Sequence, residues 1–353
     1  MSSPSKARVW CDGCYDMVHF GHANHLRQAK EMGAKLIVGV HTDRDIEYHK
    51  GPPVFTEQER YRMVRAIRWV DTVVEGAPYV TTVETLNQHD CDFCVHGNDI
   101  TLTADGVDTY AEVKRVNRYR ECRRTPGVST TDLVGRMLLL TKTHHNKDPE
   151  IGEEQFQIMK ALATDSSAKA PYVTVSRYNQ QTGSIETLVE GRQRLPDEKS
   201  VYVCGSFDLF HAGHLSILEN AAKLGKYVIV GIFQDNVVNE YKGQNYPVMT
   251  LIERVMTAVA YKPVCHVVIG APCKVTKECV ASLGIDIVAN GVSSGHADAE
   301  NDHAEDRFSY PKEAGIYKQI NSGTRLTNEK IIERIVENRR LYEARNRRKA
   351  QQR

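Results

Sequence analysis

Hydrophobic positions along the chain follow two periods that alternate. Short continuous runs, "RVWC" (8–11), "KLIVGVH" (35–41), "DTVVEGA" (71–77) and "DFCVHG" (92–97), read as buried strands. Between them apolar residues recur at helical spacing. Ala23, Leu26, Ala29 and Met32 mark one helix, with Gly33 as its stop, and "EQERYRMVRAIRWV" (57–70) and "TTVETLNQHD" (81–90) read as two more. Apolar strands alternating with helices predict an α/β fold, a doubly wound, Rossmann-like parallel sheet covered on both faces.

The pattern occurs twice. Val9, Gly13, Asp16, His19, Gly21, His22, Leu26, Ala29 and Gly33 recur, in order and at the same spacing, as Val201, Gly205, Asp208, His211, Gly213, His214, Leu218, Ala221 and Gly225. The match continues through "LIVGVHTD" (36–43) and "VIVGIFQD" (228–235), Lys50-Gly51 and Lys242-Gly243, Glu59-Arg60 and Glu253-Arg254, and two "GAP" triplets at 76–78 and 270–272. A repeat this long is a duplicated domain rather than a solenoid unit. The expected organisation is two tandem domains over 6–145 and 199–338, a joining stretch over 146–198 and a basic helical tail over 339–353. Within the joining stretch "YVTVSRYNQQTGSIETLVEG" (172–191) is expected to add a strand or helix to one domain.

Charge and composition narrow the partners. Forty-six basic against 45 acidic residues in 353 leave a net charge of +1, which argues against nucleic acid as the main partner. No apolar run approaches the ~20 residues of a membrane span, and "MSSPSKARVW" lacks the apolar core of a signal peptide. A cytoplasmic protein is expected, at most peripheral to a membrane, with homodimer formation left open. Nine cysteines, an odd number, fit reduced thiols. The pairs Cys11/Cys14 and Cys91/Cys94 invite a zinc reading, but both fall where a buried strand ends and the second half has no matching pair, so no metal site is expected.

Ligands of a doubly wound sheet bind beyond the carboxyl ends of its strands. "DGCYDMVHFGH" (12–22) occupies that place in the first half and "CGSFDLFHAGH" (204–214) in the second. Gly13 lets the backbone turn closely past a ligand, and Gly21 lets a phosphate reach the amides at the start of the helix. His19 and His22 stand three apart at that helix N-terminus, where free donors and the helix dipole favour an anion. The spacing matches neither the dinucleotide fingerprint nor the lysine-containing phosphate loop.

"His-x-Gly-His" after a strand resembles the signature of the cytidylyltransferases within the α/β nucleotidyltransferase superfamily, and "RTPGVSTT" (124–131) is similar to their second signature. Two tandem copies resemble the branch of that family acting on phosphoethanolamine. The resemblance implies CTP, with Mg2+, and phosphoethanolamine as substrates, joined by in-line attack at the α-phosphorus. It implies His19, His22, Lys50 and Arg124 as catalytic residues. Cys11, Asp12, Gly13, Gly21, His96, Gly97, Asn98, Asp99, Thr125, Val128, Ser129, Thr130 and Thr131 are implied to bind nucleotide. The hydroxyls and amides of Ser129, Thr130 and Thr131 would cradle the β- and γ-phosphates. Asp16 and Asp43 are expected to orient the histidines or the amine of the substrate.

In the second copy the nucleotide-binding positions are Val203, Cys204, His211, Ala212, Gly213, His214, Lys242, Ala289, Asn290, Gly291, Val292, Asn321, Ser322, Gly323, Thr324 and Arg325. There "INSGTRLTNEK" (320–330) replaces the arginine-containing signature. The reading is a degenerate nucleotide-binding domain, with catalysis in both halves as the alternative. Phosphocholine as substrate, or a non-enzymatic nucleotide-sensing scaffold, also stays open.

Overall fold

The computed structural model describes residues 6–98, 100–139, 144, 151–164, 172–292 and 306–343. Two compact units emerge. The first runs β1 (Arg8–Gly13), α1 (Phe20–Glu31), β2 (Lys35–Val40), α2 (Asp43–Lys50), α3 (Glu57–Arg65), β3 (Thr72–Glu75), α4 (Val83–Gln88), β4 (Phe93–Gly97), α5 (Ala111–Arg115), β5 (Tyr119–Cys122) and α6 (Thr130–Met137). Its strands form a parallel sheet in the order β3-β2-β1-β4-β5. The chain steps outwards from β1 through β2 to β3, then returns to the other side of β1 with β4. The gap between the ends of β1 and β4 is therefore the switch point at which such a sheet takes its ligand.

The second unit runs α7 (Glu153–Ala163), β6 (Thr174–Tyr178), β7 (Ile185–Val189), β8 (Ser200–Gly205), α8 (Ala212–Leu224), β9 (Tyr227–Ile232), α9 (Asp235–Lys242), α10 (Leu251–Val259), β10 (Val264–Ile269), α11 (Lys277–Leu283), β11 (Ile287–Val292), α12 (Ser309–Glu313) and β12 (Tyr317–Asn321). Its sheet order is β12-β11-β8-β9-β10-β6-β7, with β7 antiparallel to β6 and every other pair parallel. The final helix α13 (Asn328–Glu337) follows.

As expected for 172–191, the joining stretch adds to one domain: it supplies two strands to the second sheet. Two other sequence expectations change. The expected boundary after 338 moves, because the chain from Glu329 onward groups with the first unit. The helix expected over 57–70 ends at Arg65, and tight three-residue bonds, Ile67 N–H to Val64 O and Val70 N–H to Ile67 O, carry the chain to β3. Residues 293–305 and 344–353, the latter most of the expected tail, lie outside the described residues, as do 146–150 and 165–171 of the joining stretch. No described helix is long and apolar enough to cross a membrane.

The first core packs Trp10, Ile37, Leu86, Cys94, Tyr110 and Val113 against one face of the sheet. Its counterpart in the second unit packs Tyr202, Ile229, Phe233, Val268, Val288 and Phe308. Cys11, Cys91 and Cys94 are buried, and all three are free thiols.

Candidate active site

The turn between β1 and α1 is strained and heavily tied. Tyr15 and Met17 adopt φ of 49° and 50°, and Phe207 and Leu209 repeat this at 48° each. A bulky side chain in the left-handed region costs roughly 1–2 kcal/mol, so the turn needs external bonds. Asp16 provides two, because its carboxylate oxygens accept the N–H groups of Val54 and Phe55, each at 2.9 Å. Arg60, fully buried, donates to the carbonyls of Cys14 (2.7 Å), His41 (2.8 Å) and Phe55 (3.2 Å) and to the Asp43 carboxylate (2.8 Å). A buried guanidinium is tolerable only with its donors satisfied in this way. Asp16 and Asp43, expected to orient the histidines or the amine of the substrate, are thus engaged in holding the turn that leads to His19. In the sequence Arg60 stands out only as half of a repeated Glu-Arg pair.

The turn delivers His19 to the N-cap of α1. Its Nδ1 accepts the N–H of Gly21 (3.1 Å), while the Nδ1 of His22 accepts the N–H of His19 (3.3 Å). A neutral imidazole accepting at Nδ1 carries its proton on Nε2, so each ring offers an Nε2–H donor. The ring centroids lie 4.0 Å apart. Gly21 is required at this spot, since a Cβ there would come within 2.9 Å of the His19 ring. Burial, with the Arg124 charge adding to it, pushes the His19 pKa down to about 3. His19 is therefore a neutral donor at ordinary pH, not a cation.

A cavity of about 810 Å³ opens over the turn at the switch point. Asp12, Gly13, Asp16, His19, Gly21, His22, Lys50, His96, Gly97, Arg124, Thr125, Val128, Ser129, Thr130 and Thr131 all line it, as expected from sequence. Cys11 does not: its side chain is wholly buried in the sheet. Asn98 and Asp43 are not on the wall, and Asp99 lies outside the described residues. Cys14, His25, Thr101 and Arg123 also line the wall and were not anticipated. His25 follows His22 by three positions on α1, a spacing that could have signalled it.

The signature loop closes one side of the cavity. Asn24 donates to the Thr125 hydroxyl (2.9 Å), tying the loop to α1. The Ser129 hydroxyl caps α6 by accepting the Asp132 N–H (3.1 Å), and the Thr130 hydroxyl bonds the Asp16 carbonyl (3.1 Å). Two of the three hydroxyls expected to cradle phosphates, those of Ser129 and Thr130, are thus engaged in the fold, while amides, the helix N-terminus and Arg124 supply further anion-binding capacity. Among the described residues the N–H groups of Arg124, Thr125, Gly127 and Val128 have no intramolecular acceptor.

The second copy keeps the histidine geometry, with Gly213 N–H to His211 Nδ1 at 3.0 Å and His211 N–H to His214 Nδ1 at 3.4 Å. Its loop differs. The N–H of Ser322 bonds Val292 O (2.9 Å), that of Gly323 bonds Asn321 Oδ1 (2.8 Å), that of Thr324 bonds Ser322 Oγ (3.3 Å) and that of Leu326 bonds Thr324 Oγ1 (3.2 Å). The amides of Ser322, Gly323 and Thr324, expected there to hold a nucleotide, are thus engaged, the first by β11 and the other two by side chains of the loop. Asn290 donates to the Tyr317 hydroxyl (3.3 Å).

Asp12 behaves unlike its neighbours. Its Oδ1 accepts from the Tyr110 hydroxyl (3.2 Å), whereas Oδ2, buried, has no hydrogen-bond partner and lies 3.7 Å from His41 Nε2. Burial pushes its pKa up to about 7. Lys50, at the end of α2, holds its ammonium 5.6 Å from the centre of the Tyr79 ring. One cavity thus combines neutral donors, cations and a carboxylate short of a partner.

Neutral imidazole donors at a helix N-terminus, facing a lysine and an arginine at the switch point of a parallel sheet, define the phosphate-handling site of an α/β nucleotidyltransferase fold. Comparison with known proteins narrows the class. The family model described as cytidylyltransferase-like matches residues 10–136 and again 202–314, and the chain belongs to that family. It is 51% identical over 362 residues to ethanolamine-phosphate cytidylyltransferase of Mus musculus, covering 97% of this chain and 89% of that one. Ethanolamine-phosphate cytidylyltransferase of Dictyostelium discoideum is 47% identical, with 97% and 94% covered. Choline-phosphate cytidylyltransferase 2 of Arabidopsis thaliana is 40% identical over 143 residues, only 39% of this chain and 46% of that one.

Proposed function

We propose that the first copy transfers the cytidylyl group of CTP to phosphoethanolamine. A phosphate oxygen of phosphoethanolamine attacks the α-phosphorus, the bond to the β-phosphate oxygen breaks, and its electrons leave with pyrophosphate, giving CDP-ethanolamine. Nothing in this step needs a covalent enzyme intermediate, so the protein's work is positioning and stabilisation of growing negative charge. The Nε2–H groups of His19 and His22 donate to the phosphates. Lys50 bridges the α-phosphate and the incoming phosphate, and Arg124 with the loop amides holds the departing pyrophosphate.

Magnesium enters with CTP as the counter-ion of the triphosphate. Among the described residues no group of three or more His, Cys, Asp or Glu side chains is placed to hold a metal, and magnesium commonly binds through substrate phosphates rather than an all-protein cage.

The observation that carries the choice of acceptor is the buried Asp12 oxygen with no hydrogen-bond partner on the cavity wall. A primary ammonium donates hydrogen bonds to such a carboxylate, whereas a trimethylammonium has none to give. The full-length likeness to ethanolamine-phosphate enzymes supports the same acceptor. The second copy is a non-catalytic half that keeps its histidine pair and Lys242 as a weak nucleotide site, and the expected cytoplasmic location belongs to this proposal. The test is product identity. With CTP and equal phosphoethanolamine and phosphocholine, CDP-ethanolamine is expected to dominate, and equal kcat/KM for the two acceptors would overturn the assignment.

A further inference from the structure

The last described helix stands in the second copy where α6 stands in the first, yet it packs in the first unit. Ile331, Ile335 and Tyr342 are buried. Arg334 forms a two-pronged pair with Glu59 (2.8 and 3.0 Å) and donates as well to the Val54 carbonyl (3.2 Å). The Tyr342 hydroxyl donates to the Pro53 carbonyl (3.2 Å). Glu59 is already the capping residue of α3, accepting the Thr56 N–H at 2.9 Å.

These bonds converge on the short segment that follows Lys50. Val54 is held from both sides: Asp16 takes its N–H and Arg334 takes its C=O. Between Lys50 and Val54 stand only Gly51, Pro52 and Pro53, a tether of at most ~14 Å. Gly51, at φ +92°, is the bend, and the two prolines have fixed φ and little slack. Fixing the Val54 peptide therefore anchors the far end of this short segment and limits how far the end of α2, which carries Lys50, can shift.

We propose that Arg334, with Tyr342, is a positioning residue for Lys50, so that the final segment of the chain completes the catalytic site of the first copy. The inference rests on the reading that Lys50 acts in cytidylyl transfer. Arg334 touches no reacting atom: it acts through Val54 and Glu59 on the segment that carries the lysine.

The test is a double-mutant cycle on the full chain, with kcat, KM for CTP and Tm measured for Arg334→Ala, Lys50→Ala and the double variant. Misplacing a catalytic group by about an ångström can cost ~10²-fold, so a kcat loss of roughly tenfold or more is expected from Arg334→Ala. In the Lys50→Ala background the same change is expected to cost less than ~2-fold, because coupled residues are not additive. Tyr342→Phe and Arg334→Lys, which keep the buried contacts, serve if Arg334→Ala does not fold. Each is expected to lower kcat by a smaller factor that also vanishes without Lys50. Equal losses in both backgrounds, or full kcat in Arg334→Ala, overturn the inference. Full activity in Lys50→Ala alone overturns the reading beneath it.

Discussion

In the first copy Asp12 stands one residue before the end of β1, with Tyr110 and His41 against it and Tyr79 beside His41. At the corresponding places of the second copy stand Cys204, Phe308, Phe233 and Cys273. The polar groups of the acceptor end are gone. The bonds beneath them are not: Asp208 accepts the N–H groups of Val248 (2.7 Å) and Met249 (2.8 Å), and Arg254 ties Phe233 O (2.7 Å), Met249 O (3.1 Å) and Asp235 (2.6 Å). Duplication therefore serves as an internal control. Both copies keep the bonds that hold the strained turn, made by Asp16 and Arg60 in the first and Asp208 and Arg254 in the second, and both keep the histidine pair. Only the first has Asp12, Arg124 and the open loop amides, the groups that set its proposed chemistry apart.

The largest test of this division is the histidine pair. Replacing His19 and His22 by alanine is expected to lower kcat by at least ~10²–10³, the loss typical of one preorganised donor. The same change at His211 and His214 is expected to cost less than about threefold, under ~0.7 kcal/mol. Comparable losses from the two pairs would break the comparison.

Arg124→Ser installs the residue that the second copy carries as Ser322. A hydrogen bond to a charged group contributes about 1.5–3 kcal/mol, so a rate loss of roughly 10–150-fold is expected, with the reverse Ser322→Arg gaining nothing. A smaller loss, of about tenfold, is expected in kcat/KM for phosphoethanolamine from Asp12→Asn, with KM for CTP changed less than ~2-fold. Because the Asp12 pKa is raised to about 7, kcat/KM for phosphoethanolamine should climb as pH rises through 7. That limb should be missing from the Asn variant when the two profiles are overlaid.

The smallest effect is on stability and has the opposite sign. A carboxyl whose folded pKa lies above its unfolded value favours folding while protonated. Its contribution is fully present below about 3.8 and is lost as pH rises through about 7. Asp12→Asn should therefore raise Tm at pH 8 relative to wild type and do much less at pH 4. A lower Tm at pH 8 would show that the carboxylate is structural after all, as Asp16 is.

Much of this was legible in the sequence because it is local or repeated. The alternating periods mark the first four strands of each copy, and the two histidines fall at a helix N-terminus that any strand–turn–helix reading would place. The roles of Asp16 and Asp43 were not legible. Their partners, the amides at 54 and 55 and the guanidinium of Arg60, arrive from a distant part of the chain. Nor could spacing reveal that Ser129 and Thr130 spend their hydroxyls on a cap and a carbonyl, or that Asn321 and Ser322 would satisfy their own loop. β5 escaped because "YREC" alternates with charge at a sheet edge and has no apolar run. The final helix was assigned by its place in the chain, whereas packing assigned it to the other unit.

That last displacement has a consequence for how the protein is made. A ribosome releases the first unit's strands and signature loop early, but Arg334 and Tyr342 emerge only after the whole second unit has been synthesised. The first unit is begun before the second and closed after it. A nascent chain, or one stopped by a nonsense codon between positions 132 and 334, carries a full set of first-copy signature motifs with the Val54 carbonyl and Glu59 unclasped. On the positioning proposed for Lys50, activity is withheld until translation has passed Tyr342.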